Sequence, residues 1–195
     1  MKMSKGLMIL LGIVAVIAIY GFSTYNSLVG KQTEVEKASA NVQSAYQRRA
    51  DLVPNLVETV KGYAKHEEET FKAVVEARAK ATQMQVDLAN ATPEQIKEFQ
   101  KAQSELGGAL GKLIAVGESY PDLKANQNFL DLQHQLEGTE NRINEARNSF
   151  NGVVAEYNKS VRAFPTNLIA GMFGFDKAES FQAEEGAQKA PEVKF

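Results

Sequence analysis

Between Gly6 and Phe22 the chain carries no charge, and Leu7–Phe22 forms an apolar run of 16 residues. A run of this kind behind a basic start reads as a membrane anchor or as a signal peptide. As a helix the run is roughly 24 Å long, short of a hydrocarbon core of about 30 Å. The span therefore has to gain length at its ends. Lys2 and Lys5 can snorkel while Met1 and Met3 add apolar surface, and Tyr20, Phe22 and Tyr25 form an interfacial aromatic cluster. A cleaved signal peptide is the rival reading, with Gly21-Phe22-Ser23 as a small-x-small site. An uncleaved anchor is preferred because no Ala-x-Ala sits where cleavage is expected. No two small residues lie four apart within the run, so a GxxxG-type contact between spans is unsupported. Lys2 and Lys5 favour an N-terminus inside and a body outside, against the opposing pull of Lys31 and Lys37.

Beyond the run, apolar residues recur every three to four positions, with almost no strand-like alternation. Leu28, Val35 and Val42 share one seven-residue series, and Ala38, Ala45 and Leu52 its partner. A second stretch carries Leu56, Val60, Tyr63, Phe71, Val74, Ala77, Ala81, Met84 and Leu88. Thr92-Pro93-Glu94-Gln95 reads as a capping box with Pro at the first helical position. The helix it starts holds Ile96, Phe99, Leu106, Leu110 and Leu113, is thinned by Gly107, Gly108, Gly111 and Gly117, and ends at Tyr120-Pro121-Asp122. The last stripe runs Phe129, Leu132, Leu136, Ile143, Ala146, Phe150, Val153, Tyr157, Val161 and Phe164, and Pro165 closes it. The fold class is all-α: an N-terminal transmembrane helix followed by an antiparallel bundle of four long helices.

Pro54 leaves two readings open. With Asp51 as N-cap, Pro54 falls in a first turn, and the segments are about 25, 38, 26 and 40 residues long. Otherwise one long helix rises from the membrane and only kinks there. Four separate helices is the preferred reading. Three divisions follow: an anchor over 1–23, the bundle over 24–165, and an apolar segment with a mobile tail over 166–195. In the last, the charge-free stretch after Pro165 arrives near the bilayer if the fourth helix descends beside the first. Leu168, Ile169, Met172, Phe173 and Phe175 then form either an oligomer or membrane contact or a strap over the end of the bundle. Lys177–Phe195 is charged, rich in Ala, Glu and Gly, and expected to be mobile.

Several chemistries are excluded. With 22 Lys and Arg against 24 Asp and Glu, the net charge of -2 argues against a nucleic-acid partner. The absence of Cys removes disulfides, thiolate nucleophiles and cysteine-ligated zinc. His66-Glu67 lacks the second ligand of a zinc helix, since Thr70 occupies its place. Asp131 and His134 have the spacing of a carboxylate-bridged half-site, but His66 supplies no matching half. Gly107–Lys112 is one residue short of a phosphate loop, and Leu113 stands where its hydroxyl belongs. Asn90-Ala91-Thr92 and Asn158-Lys159-Ser160 match glycosylation sequons by chance. No cofactor is expected, and no catalytic or metal-binding residue is assigned.

The polar residues beside the stripes carry more information. Arg49 falls on the series of Leu28, Val35 and Val42, flanked by Arg48, Asp51 and Asn55. Thr139-Glu140-Asn141-Arg142 interrupts the last stripe. Arg49 lies 24 residues after Tyr25, and Glu140 lies 24 before Phe164, so antiparallel helices place them at one height. Arg48, Arg49, Asp51, Asn55, Glu140, Asn141 and Arg142 are therefore read as a polar layer that fixes register, with Arg49 pairing to Glu140.

At Tyr25-Asn26, Leu28-Val29, the run Arg48-Arg49-Ala50-Asp51-Leu52-Val53-Pro54-Asn55-Leu56-Val57 and Thr59–Ala64 the chain resembles the LemA family of bacterial membrane proteins. The likeness continues through His66-Glu67, Ala77-Arg78-Ala79, Thr139–Ile143, Tyr157-Asn158, Phe164-Pro165, Phe173-Gly174-Phe175 and Phe181. The resemblance implies one N-terminal span in the inner membrane, an N-terminus in the cytoplasm, and a helical body on the periplasmic or extracellular side. It brings no enzymatic activity and no catalytic residue. The magnetosome protein MamQ is similar to this family, which implies a role in membrane organisation. The leading expectation is a non-enzymatic scaffold that contacts lipid, forms homo-oligomers, and organises or remodels membrane. An adaptor for a neighbouring membrane or envelope protein is the second reading, and a metal-dependent enzyme the third.

Overall fold

The computed structural model describes residues 4–182, so Lys2 and the tail beyond Gln182 lie outside the described residues. Helix α1 (Lys5–Lys61) is a single helix of 57 residues, capped by the Ser4 side chain, which accepts from the Leu7 N–H at 3.3 Å. It is long and apolar enough to cross a membrane, and no residue of its apolar window is buried. The first buried side chain is Leu28. From there Val35, Val42, Arg49 and Leu56 follow at seven-residue intervals, all buried, with Ala38 beside them. A seven-residue seam of this kind needs an antiparallel or parallel helix along its whole length. That partner is α5 (Gln127–Arg162), capped by Asn126. The two run antiparallel: Leu28 shares a core cluster with Val161, and Val60 shares one with Phe129. Between them in sequence, α2 (Glu68–Gln83) and α3 (Pro93–Ser119) form a hairpin that packs on the first helix. Thr92 and Gln95 make both halves of the expected capping box. The single turn α4 (Pro121–Lys124) joins α3 to α5. Among the described residues there is no strand.

The preferred break at Pro54 is not there. Helix α1 runs through Pro54 to Lys61, and the chain turns only between Gly62 and Glu67. Leu56 and Val60 therefore belong to α1, Tyr63 is exposed, and Met84 and Leu88 fall in an irregular connection beyond α2. A proline inside a helix deprives the carbonyl four residues earlier of its donor and costs about 3 kcal/mol or more. Here that carbonyl is Ala50, and the Arg78 Nε of α2 donates to it at 2.9 Å. Continued burial of Val53, Leu56, Val57 and Val60 supplies the remaining reason for the helix to go on. Arg78→Ala should therefore cost about 1–2 kcal/mol of unfolding free energy by urea titration. The same substitution in a Pro54→Ala chain should cost less, because residue 54 then supplies the N–H itself. Equal costs in both backgrounds would show that the arginine does not replace the missing donor.

After α5 the short helix α6 (Thr166–Phe173) turns back across the base of the bundle. Phe164, placed on the last stripe by its spacing, is 80% exposed, because α5 ends at Arg162 before reaching it. Past α6 the chain stays packed against the bundle as far as Phe181. Phe175, Ala178 and Phe181 are buried against α1, α3 and α5 in the membrane-side core cluster.

Candidate functional site

Two core clusters divide the body, one from Leu28 to Tyr46 on α1 and one from Val53 upward. Arg49 sits between them on the buried seam, with 4% of its surface exposed. Its Nη1 donates to Glu140 Oε1 at 3.0 Å and Oε2 at 3.3 Å, the pair that equal spacing from the membrane end predicts. Its Nη2 donates to the Gln103 carbonyl at 2.8 Å and to Gln103 Oε1 at 2.7 Å. The guanidinium carbon stands 5.1 Å from the centre of the Tyr46 ring. A planar fork of donors is what lets one side chain hold two helices at once. Gln103 Nε2 continues the layer to the Ala81 carbonyl at 3.5 Å, so all four long elements meet here. Thr139 is buried beside Glu140 and donates back to the Gln135 carbonyl at 2.7 Å. Burial pushes the Tyr46 phenol above its ordinary pKa, opposed by the nearby positive charge of Arg147 and Arg49.

The layer is narrower than the sequence suggested. Arg48, Asp51, Asn55, Asn141 and Arg142 all face outward. Asp51 accepts from Gln47 at 2.7 Å on the outer face of α1, and the Asn55 carbonyl accepts from Thr59. Position on the helix decides this: the seven-residue series and its neighbours one turn away reach the interior, and these five residues lie on the opposite face. Gln103 was missed, although it stands four residues after Phe99 and three before Leu106 on the buried face of α3. A polar residue on an apolar series was the same signal that singled out Arg49.

A groove of about 790 Å³ opens beside the layer between α1 and the connection after α2, with Tyr46 and Gln103 in its wall and Glu36 and Asp87 at its edge. Among the described residues no three His, Cys, Asp or Glu side chains converge on one point. His66 and His134 are both exposed. The layer holds one cation, one carboxylate and two neutral polar groups, an arrangement suited to fixing helix register.

The second feature lies at the membrane end. A side-chain carbon built on Gly21 of α1 would stand 3.7 Å from Ile169 Cδ1, so α6 lies directly against the end of the apolar run. The rings of Phe173 and Phe175 meet the Tyr25 ring edge-on, at 4.9 and 5.6 Å. Ile169 and Phe175 thus point inward as parts of a strap. Leu168 and Met172, one helical turn apart on α6, stay more than half exposed, as does Phe164 in the turn before α6, while Phe173 rests on Tyr25 with the rest of its surface open. Lys5, Tyr20 and Phe22 are exposed along the span, and Tyr25 is covered on one side only.

The profile of the LemA family matches residues 38–195. The chain is similar to Protein LemA of Metamycoplasma hominis, with 28% identity over 82% of this chain and 69% of the relative. It is also similar to magnetosome protein MamQ 2 of Paramagnetospirillum magneticum, with 25% identity over 93% of this chain and 75% of the relative. Magnetosome protein MamQ of Magnetospirillum gryphiswaldense is 24% identical over 92% and 74%.

Proposed function

Since the chain belongs to the LemA family, and is therefore a membrane-associated helical protein, we propose that it acts as a non-enzymatic scaffold that self-associates and organises or remodels the bilayer holding it. Its N-terminus lies in the cytoplasm and its bundle on the far side of the inner membrane, as Lys5 ahead of the span favours. The observation that carries the reading is the exposure of Phe164, Leu168 and Met172 at the end of the body where Ile169 of α6 lies against Gly21. At that height they meet the bilayer interface, or the same residues of a neighbouring copy, and not open water. Transfer of each such side chain out of water is worth about 1.5–3 kcal/mol. A short span with an apolar helix lodged beside it in one leaflet adds area to that leaflet alone, which favours curvature.

The test is particle size in native-membrane nanodiscs, imaged by electron microscopy. The full-length chain is expected to give large, defined assemblies, and Leu168→Asp with Met172→Asp to reduce them to single copies. Single copies from the unaltered chain would defeat the scaffold reading and leave the adaptor one.

A further inference from the structure

We propose that the groove holding residues 175–182 is a peptide-recognition site whose partner is the same segment of a second copy of this chain, so that neighbouring copies exchange straps. This rests on the self-association proposed above and names the contact that closes it. Asn158 of α5 donates from Nδ2 to the Ala178 carbonyl at 2.8 Å and accepts the Ala178 N–H at Oδ1 at 3.0 Å. Asn151 treats Phe181 in the same way, at 3.1 and 2.9 Å. Gln100 of α3 donates to the Gln182 carbonyl at 3.0 Å. Each asparagine satisfies both backbone groups of one strap residue, so the groove reads an extended main chain irrespective of its side chains.

The spacing has a geometric basis. Asn151 and Asn158 are seven residues apart on α5, about 10.5 Å along the helix axis. Three residues of extended chain cover about 9–10 Å. Two turns of helix therefore match one three-residue step of the strap, and Phe175, Ala178 and Phe181 are buried at that step. Side-chain selection comes from the walls. The Phe181 ring meets Phe150 at 5.4 Å and Phe99 at 6.4 Å, with the Arg147 guanidinium 5.1 Å from its centre. Phe175 meets Tyr25, and Ala178 fills the place between the two aromatic positions. The site thus reads aromatic-x-x-small-x-x-aromatic.

No contact in this groove depends on which chain the strap comes from. The strap leaves α6 at Gly174, whose φ of 73° is the left-handed conformation that glycine adopts freely and that makes it a natural pivot. Exchange keeps the strap's bonds to Asn151, Asn158 and Gln100 and its ring contacts and gives up the Phe175 N–H bond to the Ala170 carbonyl at the hinge, so its free energy is set by the hinge and by the local concentration of copies. Anchors in one bilayer hold those copies parallel and close, which raises that concentration.

The chain has no cysteine, so thiol crosslinking starts from a silent background. Full-length chains carrying only Gln100→Cys are mixed with full-length chains carrying only Gln182→Cys in vesicles of phosphatidylethanolamine and phosphatidylglycerol, then treated with a short bis-maleimide. The expected result is a covalent dimer whose yield rises with the protein-to-lipid ratio. The yield should fall about tenfold or more when the first chain also carries Asn151→Ala and Asn158→Ala. Phe181→Asp in the second chain, which leaves the groove chain untouched, should lower it as well. A chain with both cysteines, diluted to one copy per vesicle, should close on itself. Absence of dimer, a dimer indifferent to these substitutions, or a diluted chain that fails to close would each overturn strap exchange. Assemblies that persist in nanodiscs alongside purely internal closure would overturn the exchange while leaving the scaffold reading standing.

Discussion

Gly117→Ala is expected to lower the thermal midpoint by about 5–15 °C, the equivalent of roughly 2–4 kcal/mol in a domain of this size. A side-chain carbon at position 117 would run into Phe129 Cζ and lie 2.6 Å from Cε2. The ring has nowhere to go, because Phe129 is fully buried at the start of α5. Replacing a glycine inside a helix by alanine normally gains about 0.5–1 kcal/mol, so the overpacking has to outweigh a favourable term. Phe129→Leu in the same chain should recover part of the loss, and the double-mutant cycle should give a coupling of about 1–3 kcal/mol. Calorimetry on the four proteins decides it. A Gly117→Ala midpoint unchanged from wild type would mean that α3 and α5 can separate at this end.

Arg49→Ala is the second large effect, with an expected cost of about 2–4 kcal/mol by urea titration. The substitution leaves the Gln103 carbonyl and side chain without their donor inside the bundle and removes the ion pair with Glu140. Glu140 keeps 45% of its side chain in solvent and can rehydrate, which holds the estimate below that for two fully buried charges. Arg49→Lys should recover only a small part, since an ammonium cannot span Gln103 and Glu140 with one planar fork. Arg49→Met with Gln103→Leu should be more stable than Arg49→Met alone, because the Gln103 side-chain amide left without its partner then disappears, while the Gln103 backbone carbonyl lies within α3. A stability for Arg49→Ala equal to wild type would remove the layer from the account of the fold.

The seven-residue series from Leu28 made α1 and its antiparallel partner legible, and the position of Arg49 on that series led directly to Glu140. Local chemistry also identified the start of α3 through Thr92 and Gln95. What failed depended on distant residues. Pro54 reads as a helix breaker unless Arg78 is known to arrive at the Ala50 carbonyl, and that encounter is tertiary. The segment from Lys177 to Gln182 looks mobile by composition, yet Asn151 and Asn158 hold it through backbone groups that no side-chain pattern encodes. Arg48 and Asn141 were drawn into the layer by adjacency in sequence, whereas on a helix adjacent residues point about 100° apart.

The continuity of α1 has a mechanical meaning. From Phe22 to Lys61 it is a rod of roughly 58 Å with no joint between the bilayer and the far end of the bundle, and α5 splints most of its length. Membrane spans change tilt as bilayer thickness changes. A rotation of about 10° at the span therefore swings the distal turn around Tyr63 and Tyr120 sideways by roughly 10 Å. The molecule behaves as a lever whose short arm is immersed in lipid and whose long arm amplifies the deflection into the compartment beyond.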